Sequence, residues 1–344
     1  MKQLKILVAL IAGLFSFTSA NAGEMTVSGT MQATYQSEAD DVTGNPLGLN
    51  TDLKFTGTTE VLNGTAVTWS LATDGTFLGD SAADHQLKFA TPSFGTFSVG
   101  NSNDSANAVD DVTPTAFEEA NGAGSGSYTT DLGSGMEGSM NVGYSNANIM
   151  GSGVGISYNY YPKLDGTTNN EKGSSVGTVD AKSAQSANLK ITGSNVAGMS
   201  GTILEGLVVT AGYEISDALV DLAQDKEGGT VALNYAYGPV KVGYQKKGYA
   251  AKGTTVASDT FFKDDIYGVA VAVNDSLAVS YNVITSTRAD NNSAANADQE
   301  TKAINVAYTV GGLTIGIQDA KTDGAGYVLA TEDNTRTLSL KTAF

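Results

Sequence analysis

The sequence predicts an all-β fold, a closed 16-stranded antiparallel transmembrane β-barrel. Three observations support this prediction. Apolar residues recur at every second position in most segments, as expected for half-buried strands. Connections between these segments alternate between very short turns and long polar loops. Opposite the large apolar residues, each strand carries small polar ones, so one face suits lipid and the other suits water.

The first segment, residues 1–22, has the features of a secretory signal peptide. Lys2 and Lys5 precede an apolar run over 6–17, and Ala-Asn-Ala at 20–22 provides a cleavage site. The alternative, a transmembrane helix, needs ~20 apolar residues and this run is shorter. We therefore expect export through the inner membrane and a mature barrel over 23–344. Removal of the two lysines changes the net charge from −17 to −19.

Alternation along the chain defines the strands. In TVALNYAYG, for example, Val231, Leu233 and Tyr235 share one side. Candidate strands lie at 24–36, 48–61, 65–74, 84–91, 95–101, 125–131, 137–146, 153–161, 187–193, 206–216, 229–237, 240–249, 264–273, 276–287, 300–310, 313–322 and 335–344. A closed single-chain bacterial barrel needs an even number of strands. Segment 125–131 is short and alternates poorly, and assigning it to the preceding loop gives 16. Whether it forms a separate strand stays open.

A soluble β-sandwich is the alternative to a membrane barrel. Its inward faces would carry the large residues, and its outward faces would carry an ordinary charged surface. Here the polar side consists mainly of Ser, Thr, Gly, Ala and Asn, which suits a wet lumen. Tyrosines lie near the ends of apolar stripes, as in the aromatic girdles of membrane proteins. These are Tyr35, Tyr144, Tyr237, Tyr244 and Tyr308.

The composition argues against several other classes of function. The chain has no Cys and one His, His85, so neither a His/Cys metal site nor a Ser-His-Asp triad can be assembled. We therefore expect no enzyme and no cofactor. The acidic stretch 290–300 offers oxygen ligands that would collect divalent cations weakly. A strongly negative chain also lacks the basic face that nucleic-acid binding needs.

Two stretches resemble the general bacterial porins of the outer membrane. TDLKFTGTTEVLNG at 51–64 is similar to their second strand, and SFGTFSVGNSND at 93–104 is similar to the strand before their third loop. The terminal Phe344 is a further likeness. The resemblance implies a trimeric, water-filled pore for small hydrophilic solutes. It also implies that loop 102–124 folds into the barrel and narrows it.

The predicted pore constriction departs from the family in its basic residues. The family commonly has arginines where this chain has Asp52 and Asn101, so its arginine ladder cannot be transferred. Lysines on the lumen side of the strands replace it as candidates: Lys54, Lys88, Lys190, Lys241 and Lys341. The loop contributes candidate acids, each of which could alternatively be an ordinary solvated loop acid: Asp104, Asp110, Asp111, Glu118 and Glu119. Opposite charges across a narrow aqueous gap would order dipolar solutes.

The last strand carries a predicted assembly signal. Phe344, Leu340 and Leu338 lie at alternate positions before the chain end. In the family, such a strand with a terminal aromatic residue is recognised by the barrel-assembly machinery. Thr342 departs from the pattern, because the family more often has an aromatic residue there.

Together these observations predict an outer-membrane porin for passive diffusion of small solutes and ions. Acidic residues number 36 against 19 basic ones, so we expect a preference for cations. The alternative is an outer-membrane barrel with an adhesive, binding or structural role. Such a barrel would have a plugged or apolar lumen or one very large external domain, and the sequence indicates neither.

Overall fold

The structure is a computed structural model that describes only part of the chain. The described residues are 23–38, 45–73, 84–102, 104–120, 132, 136, 138–164, 183–217, 225–251, 260–290 and 298–344. The predicted signal peptide and segment 125–131 therefore lie outside the described residues. Within the described ranges, no helix has the length and apolar character needed to cross a membrane.

Sixteen antiparallel strands form one closed barrel, which confirms the predicted fold class. The strands are β1 (Glu24–Glu38), β2 (Leu47–Val61), β3 (Thr65–Thr73), β4 (Asp84–Thr91), β5 (Gly95–Gly100), β6 (Asn141–Asn146), β7 (Val154–Tyr161), β8 (Ala184–Thr192), β9 (Leu207–Ser216), β10 (Lys226–Tyr237), β11 (Val240–Ala251), β12 (Thr260–Ala272), β13 (Leu277–Asp290), β14 (Gln299–Val310), β15 (Leu313–Asp323) and β16 (Glu332–Ala343). Each strand pairs with its neighbours in the chain, so the predicted alternation of short and long connections places them at opposite ends of the barrel.

The barrel closes between its first and last strands. Thr30 pairs with Ala343, and the ladder continues to Glu38 opposite Thr335. Beyond it, the backbone amides of Gly29 and Phe344 each donate to the other residue's carbonyl at 3.0 Å. Closure leaves no unpaired strand edge, which is a requirement for a sheet surrounded by lipid.

Side chains alternate between the lumen and the outer surface, as the sequence predicts. In β14, Gln299, Thr301 and Asn305 are buried inside the barrel, whereas Ile304 and Tyr308 are exposed outside. The outer surface carries exposed Val, Leu, Ile, Met and aromatic side chains on strands all around the barrel. The polar interior and apolar exterior match the pattern of transmembrane barrels.

Several strands extend further toward the long loops than the apolar pattern predicts. β12 begins at Thr260 rather than at 264, and β10 begins at Lys226 rather than at 229. In these extensions, Lys263 lies opposite Gly248 and Lys226 lies opposite Ser216. The added residues continue the hydrogen-bonded ladder without continuing the apolar alternation, so the sequence pattern does not mark them as strand.

Candidate pore constriction

In the connection from β5 to β6, the continuously described residues 104–120 fold into the barrel, as predicted for loop 102–124. We call residues 104–120 the inner segment. It starts beside β7 and β8, where the backbone amide of Ser105 donates to the Ser186 hydroxyl at 3.1 Å. It ends beside β15, where the Gln318 amide donates to the Glu119 carbonyl at 2.8 Å. The inner segment therefore follows the inside of the wall across about half of the strands.

Polar side chains of the wall hold the middle of the inner segment by its backbone. The Val112 amide donates to Gln245 on β11 at 3.1 Å, and Asn234 on β10 donates to the Val112 carbonyl at 2.9 Å. Asn282 on β13 donates to the Pro114 carbonyl at 3.0 Å. Because each bond satisfies a backbone group inside the barrel, the polar wall fixes the path of the segment.

Glycines on the lumen side of the wall make room for the inner segment. A Cβ atom on Gly243 would lie 2.4 Å from the Pro114 ring, and one on Gly316 would lie 2.4 Å from the Phe117 ring. A Cβ atom on Gly212 would lie 2.7 Å from Val109. Larger residues at these positions would push the segment off the wall and into the lumen.

Lys247 on β11 forms the charged attachment of the inner segment. Its ammonium lies 3.2 Å from an Asp110 carboxylate oxygen and 2.8 Å from an Asp111 oxygen. The side chains of Lys247 and Asp110 are both only 1% exposed, whereas that of Asp111 is 36% exposed. Asp110 also accepts a hydrogen bond from the backbone amide of Leu132 at 3.1 Å. Asp110 therefore faces the wall, and Asp111 is the more accessible of the two to lumen water.

One ammonium faces several carboxylates in this cluster. Burial raises the pKa of Glu119 to about 8, with a further contribution from the nearby Asp111 carboxylate and against the effect of Lys247. Burial also raises the pKa of Asp110, although the adjacent ammonium opposes this. At neutral pH, Glu119 is therefore largely protonated, so the inner segment carries less negative charge than its acid content suggests.

The remaining acids of the inner segment have different surroundings. Burial raises the pKa of Glu118, while a hydrogen bond from Gln32 and the nearby Lys341 favour its charged form. Asp104 caps its own turn, because one carboxylate oxygen accepts from the amides of Ala106 at 2.8 Å and Asn107 at 3.2 Å. Glu118 therefore lies within electrostatic reach of a predicted lumen lysine, whereas Asp104 uses one oxygen to cap its local backbone.

Lys54 and Lys88 lie on the wall formed by β2 and β4. They are close enough for their charges to repel each other. In the part of the chain that the structure describes, no hydrogen bond or ion pair involves either ammonium group. Asp52 is near Lys54 in the chain, but its carboxylate accepts from Thr30 at 2.9 Å and Asn50 at 3.0 Å. Two cations without a hydrogen-bond or ion-pair partner among the described residues therefore face the lumen here.

The other predicted wall residues lie apart from this pair. Lys190 and Lys241 are exposed on the lumen side, near the short-turn ends of β8 and β11. Asn101, where the family commonly has an arginine, is buried, and its side-chain oxygen accepts from the backbone amide of His85. Whether any of the predicted residues contacts a passing solute stays a prediction.

Sequence reasoning missed two anchors of the inner segment, Lys247 and Gln245. The signal was present, because alternation along β11 places both on the same side as Lys241. The glycines that make room for the inner segment could not be singled out in the sequence, because glycines occur throughout the chain. Among the described residues, no group of three or more potential His, Cys, Asp or Glu ligands is arranged to hold a metal ion.

The predicted assembly residues lie together at the barrel seam. Leu338 and Leu340 are exposed on the outer surface of β16, and Phe344 follows at the short-turn end. The Phe344 ring lies across Gly29, where a Cβ atom would be 2.7 Å from it. The apolar residues thus face outward, and their role in assembly stays a prediction.

Comparison with known proteins shows similarity in structure rather than in sequence. No family model and no curated protein sequence matches the chain. An anion-selective porin from Comamonas acidovorans is similar over 94% of this chain and 100% of its own, at 13% identity and a TM-score of 0.65. A loop-deletion variant of OmpT, an outer membrane protein of Vibrio cholerae, is similar over 94% of this chain and 100% of its own, at 14% identity and a TM-score of 0.65. A mutant of the Rh. blastica porin is similar over 93% of this chain and 100% of its own, at 15% identity and a TM-score of 0.59. The predicted resemblance to porins is confirmed for the fold.

Proposed function

We propose that the chain forms a water-filled channel in a bacterial outer membrane, through which small hydrophilic solutes and ions diffuse passively. The observation that carries the proposal is the contrast between the two faces of the barrel. Exposed apolar side chains cover its outside, and that surface would be unfavourable in water but suits lipid. Inside, exposed polar groups such as Lys54, Lys190 and Lys241 would line an aqueous path.

The family resemblance supplies further parts of the proposal. The chain would assemble as a homotrimer, be inserted by the barrel-assembly machinery and contact outer-membrane lipid. Passive diffusion would need no cofactor and no catalytic group. In semi-native electrophoresis, membrane extracts should contain a large species that collapses on boiling. Recovery of a soluble monomer after osmotic shock would contradict the membrane assignment.

We further propose a modest preference for cations. Acids exceed bases in the chain, and Asp111 and Glu118 would contribute negative charge along the inner segment. Charge in a narrow aqueous path concentrates counterions within a Debye length of ~10 Å at 0.1 M salt. The preference would be limited, because Asp110 is paired with Lys247 and Glu119 is largely protonated at neutral pH.

Reversal potentials across a salt gradient would test this preference. Neutralising Asp110, Asp111, Glu118 and Glu119 together should reduce or reverse it. Asp111→Asn combined with Glu118→Gln should reproduce most of that change. The matched control neutralises Asp290 and Asp298, which are distant from the inner segment in the chain, and should change little. An anion preference in the unmodified protein at low salt would contradict the proposal and implicate the lumen lysines, including Lys54, Lys88 and Lys241.

Solute uptake tests the channel itself. Liposomes that contain the purified protein should swell in small sugars, at rates that fall as the sugar becomes larger. A folded barrel that admits none of these sugars would instead favour a binding or structural role.

A further inference from the structure

A polar cavity of about 360 Å³ lies where the inner segment leaves the wall. Its lining comes from β4 to β7 and from the beginning of the inner segment. The residues that matter here are Lys88, Thr96, Ser102, Asp104, Ser145 and Asn159. The volume lies at the lower end of the range for small-molecule sites, so the cavity suits a small solute.

The cavity offers a solute one ammonium group and one carboxylate oxygen. Lys88 lines the cavity, and its ammonium has no partner among the described residues. The lining carboxylate, Asp104, accepts from the amides of Ala106 and Asn107 through one oxygen, and its other oxygen is buried without a hydrogen-bond partner among the described residues. Lys54 adds a second positive charge nearby. An oxyanion would find an unpartnered ammonium group at Lys88, and a hydroxyl of the same solute would find an acceptor at Asp104.

Hydroxyl groups also line the cavity. Thr96, Ser102 and Ser145 line the cavity, and their side chains make no hydrogen bond to another described residue. The Ser157 hydroxyl, by contrast, donates to Ser105 at 2.7 Å and is therefore already engaged. Free hydroxyls can donate to oxyanion oxygens and can also bond to the hydroxyls of a solute.

We propose that this cavity is a binding subsite for a small oxyanion-bearing solute, such as a hydroxylated carboxylate. The ammonium of Lys88 holds the oxyanion, and the hydroxyls of Thr96, Ser102 and Ser145 hold its oxygens and the solute's own hydroxyls. The proposal rests on the channel function above, because the subsite delays a solute on its way through the lumen. One local cation can do this without setting the overall ion preference of an acidic channel.

The experiment uses gluconate as the probe and glucose as a neutral match of similar size. Calorimetry on the full-length protein in detergent measures binding, and current interruptions in single channels measure residence. Gluconate should bind and interrupt the current, and glucose at the same concentration should do so at least five-fold more weakly. Lys88→Gln should weaken gluconate binding at least five-fold, and Lys88→Arg should retain most of it.

Lys190→Gln is the matched control, because Lys190 is another exposed lumen lysine but does not line the cavity. It should leave gluconate binding within two-fold of the unmodified protein. Equal binding of gluconate and glucose, or full binding by Lys88→Gln, would overturn the proposal. A conducting channel that does not bind gluconate refutes the subsite alone. A protein that binds gluconate through Lys88 but does not conduct supports the subsite and refutes the channel.

Discussion

Removal of the Lys247 ammonium should release the inner segment from the wall. In Lys247→Met, the Asp110 carboxylate would remain in a site where its side chain is 1% exposed, without its partner at 3.2 Å. Breaking one side of a buried ion pair generally costs about 3–5 kcal/mol. Protonation of the stranded carboxyl would lower this cost, because burial raises the pKa of Asp110.

A cost of about 3–5 kcal/mol makes local opening of the segment about 10²–10⁴-fold more frequent, since 1.4 kcal/mol corresponds to about one factor of ten, and protonation of Asp110 shifts the expected change toward the lower end. Hydrogen exchange of backbone amides is the direct assay. The Val112 amide donates to Gln245 on the wall at 3.1 Å, so it reports on attachment. The Asp110 amide donates to the Asn107 carbonyl at 3.0 Å within the segment, so it reports on the turn beside the ion pair. Their protection factors should fall by that amount, and single-channel current should become noisier.

Two variants complete this experiment. Lys190→Met also removes a lumen lysine, but Lys190 has no hydrogen-bond or ion-pair partner among the described residues. This variant should therefore leave the hydrogen-exchange rates of the two amides unchanged. Asp110→Asn combined with Lys247→Met removes both charges of the buried pair and should restore much of the protection. The reasoning is refuted if Lys247→Met alone keeps the exchange rates of the unmodified protein, or if Lys190→Met loses as much protection.

Three further outcomes are expected. Gly316→Leu should force the Phe117 ring away from the wall and lower the conductance. Gly312→Leu is the control and should not lower it, because no atom lies within 4 Å of a Cβ added there. Equal conductance of the two variants would argue against close packing of Phe117 on Gly316. Raising the pH from 6 to 10 should strengthen the preference for cations, because Glu119 is neutral below a pKa of about 8 and charged above it. Glu119→Gln should show a smaller pH response in reversal potential, and an unchanged response would exclude this group as a major cause. Deletion of Phe344 should reduce the heat-modifiable species in outer membranes, and a normal amount would count against the assembly signal.

The sequence was sufficient to predict the barrel because its periodicity is local. Each strand shows its two faces within a few residues, and the rule of an even strand number favours assigning the weak segment 125–131 to a loop. The outer residues Leu338 and Leu340 and the inner Gln318 could be assigned in this way. The structure confirms the strand number and the inward fold of the connection after β5.

The partners inside the lumen could not be predicted by the same route. Which wall residue meets Asp110 depends on the register of a long loop against distant strands, and alternation gives no information about that register. Asp110 and Asp111 look equivalent in the sequence, yet the first is buried against Lys247 and the second is partly exposed. Likewise, the sequence places Lys88 in the lumen but does not show that it lines a cavity.

Single-channel recording in planar bilayers tests the central claim most directly. If the barrel is an open aqueous path, purified protein should insert in discrete steps of current, and the step size should increase with bulk salt. Raising the salt should also weaken the preference for cations, because the field of the lumen charges is screened. Folded protein that inserts into bilayers without any conductance step would contradict the account.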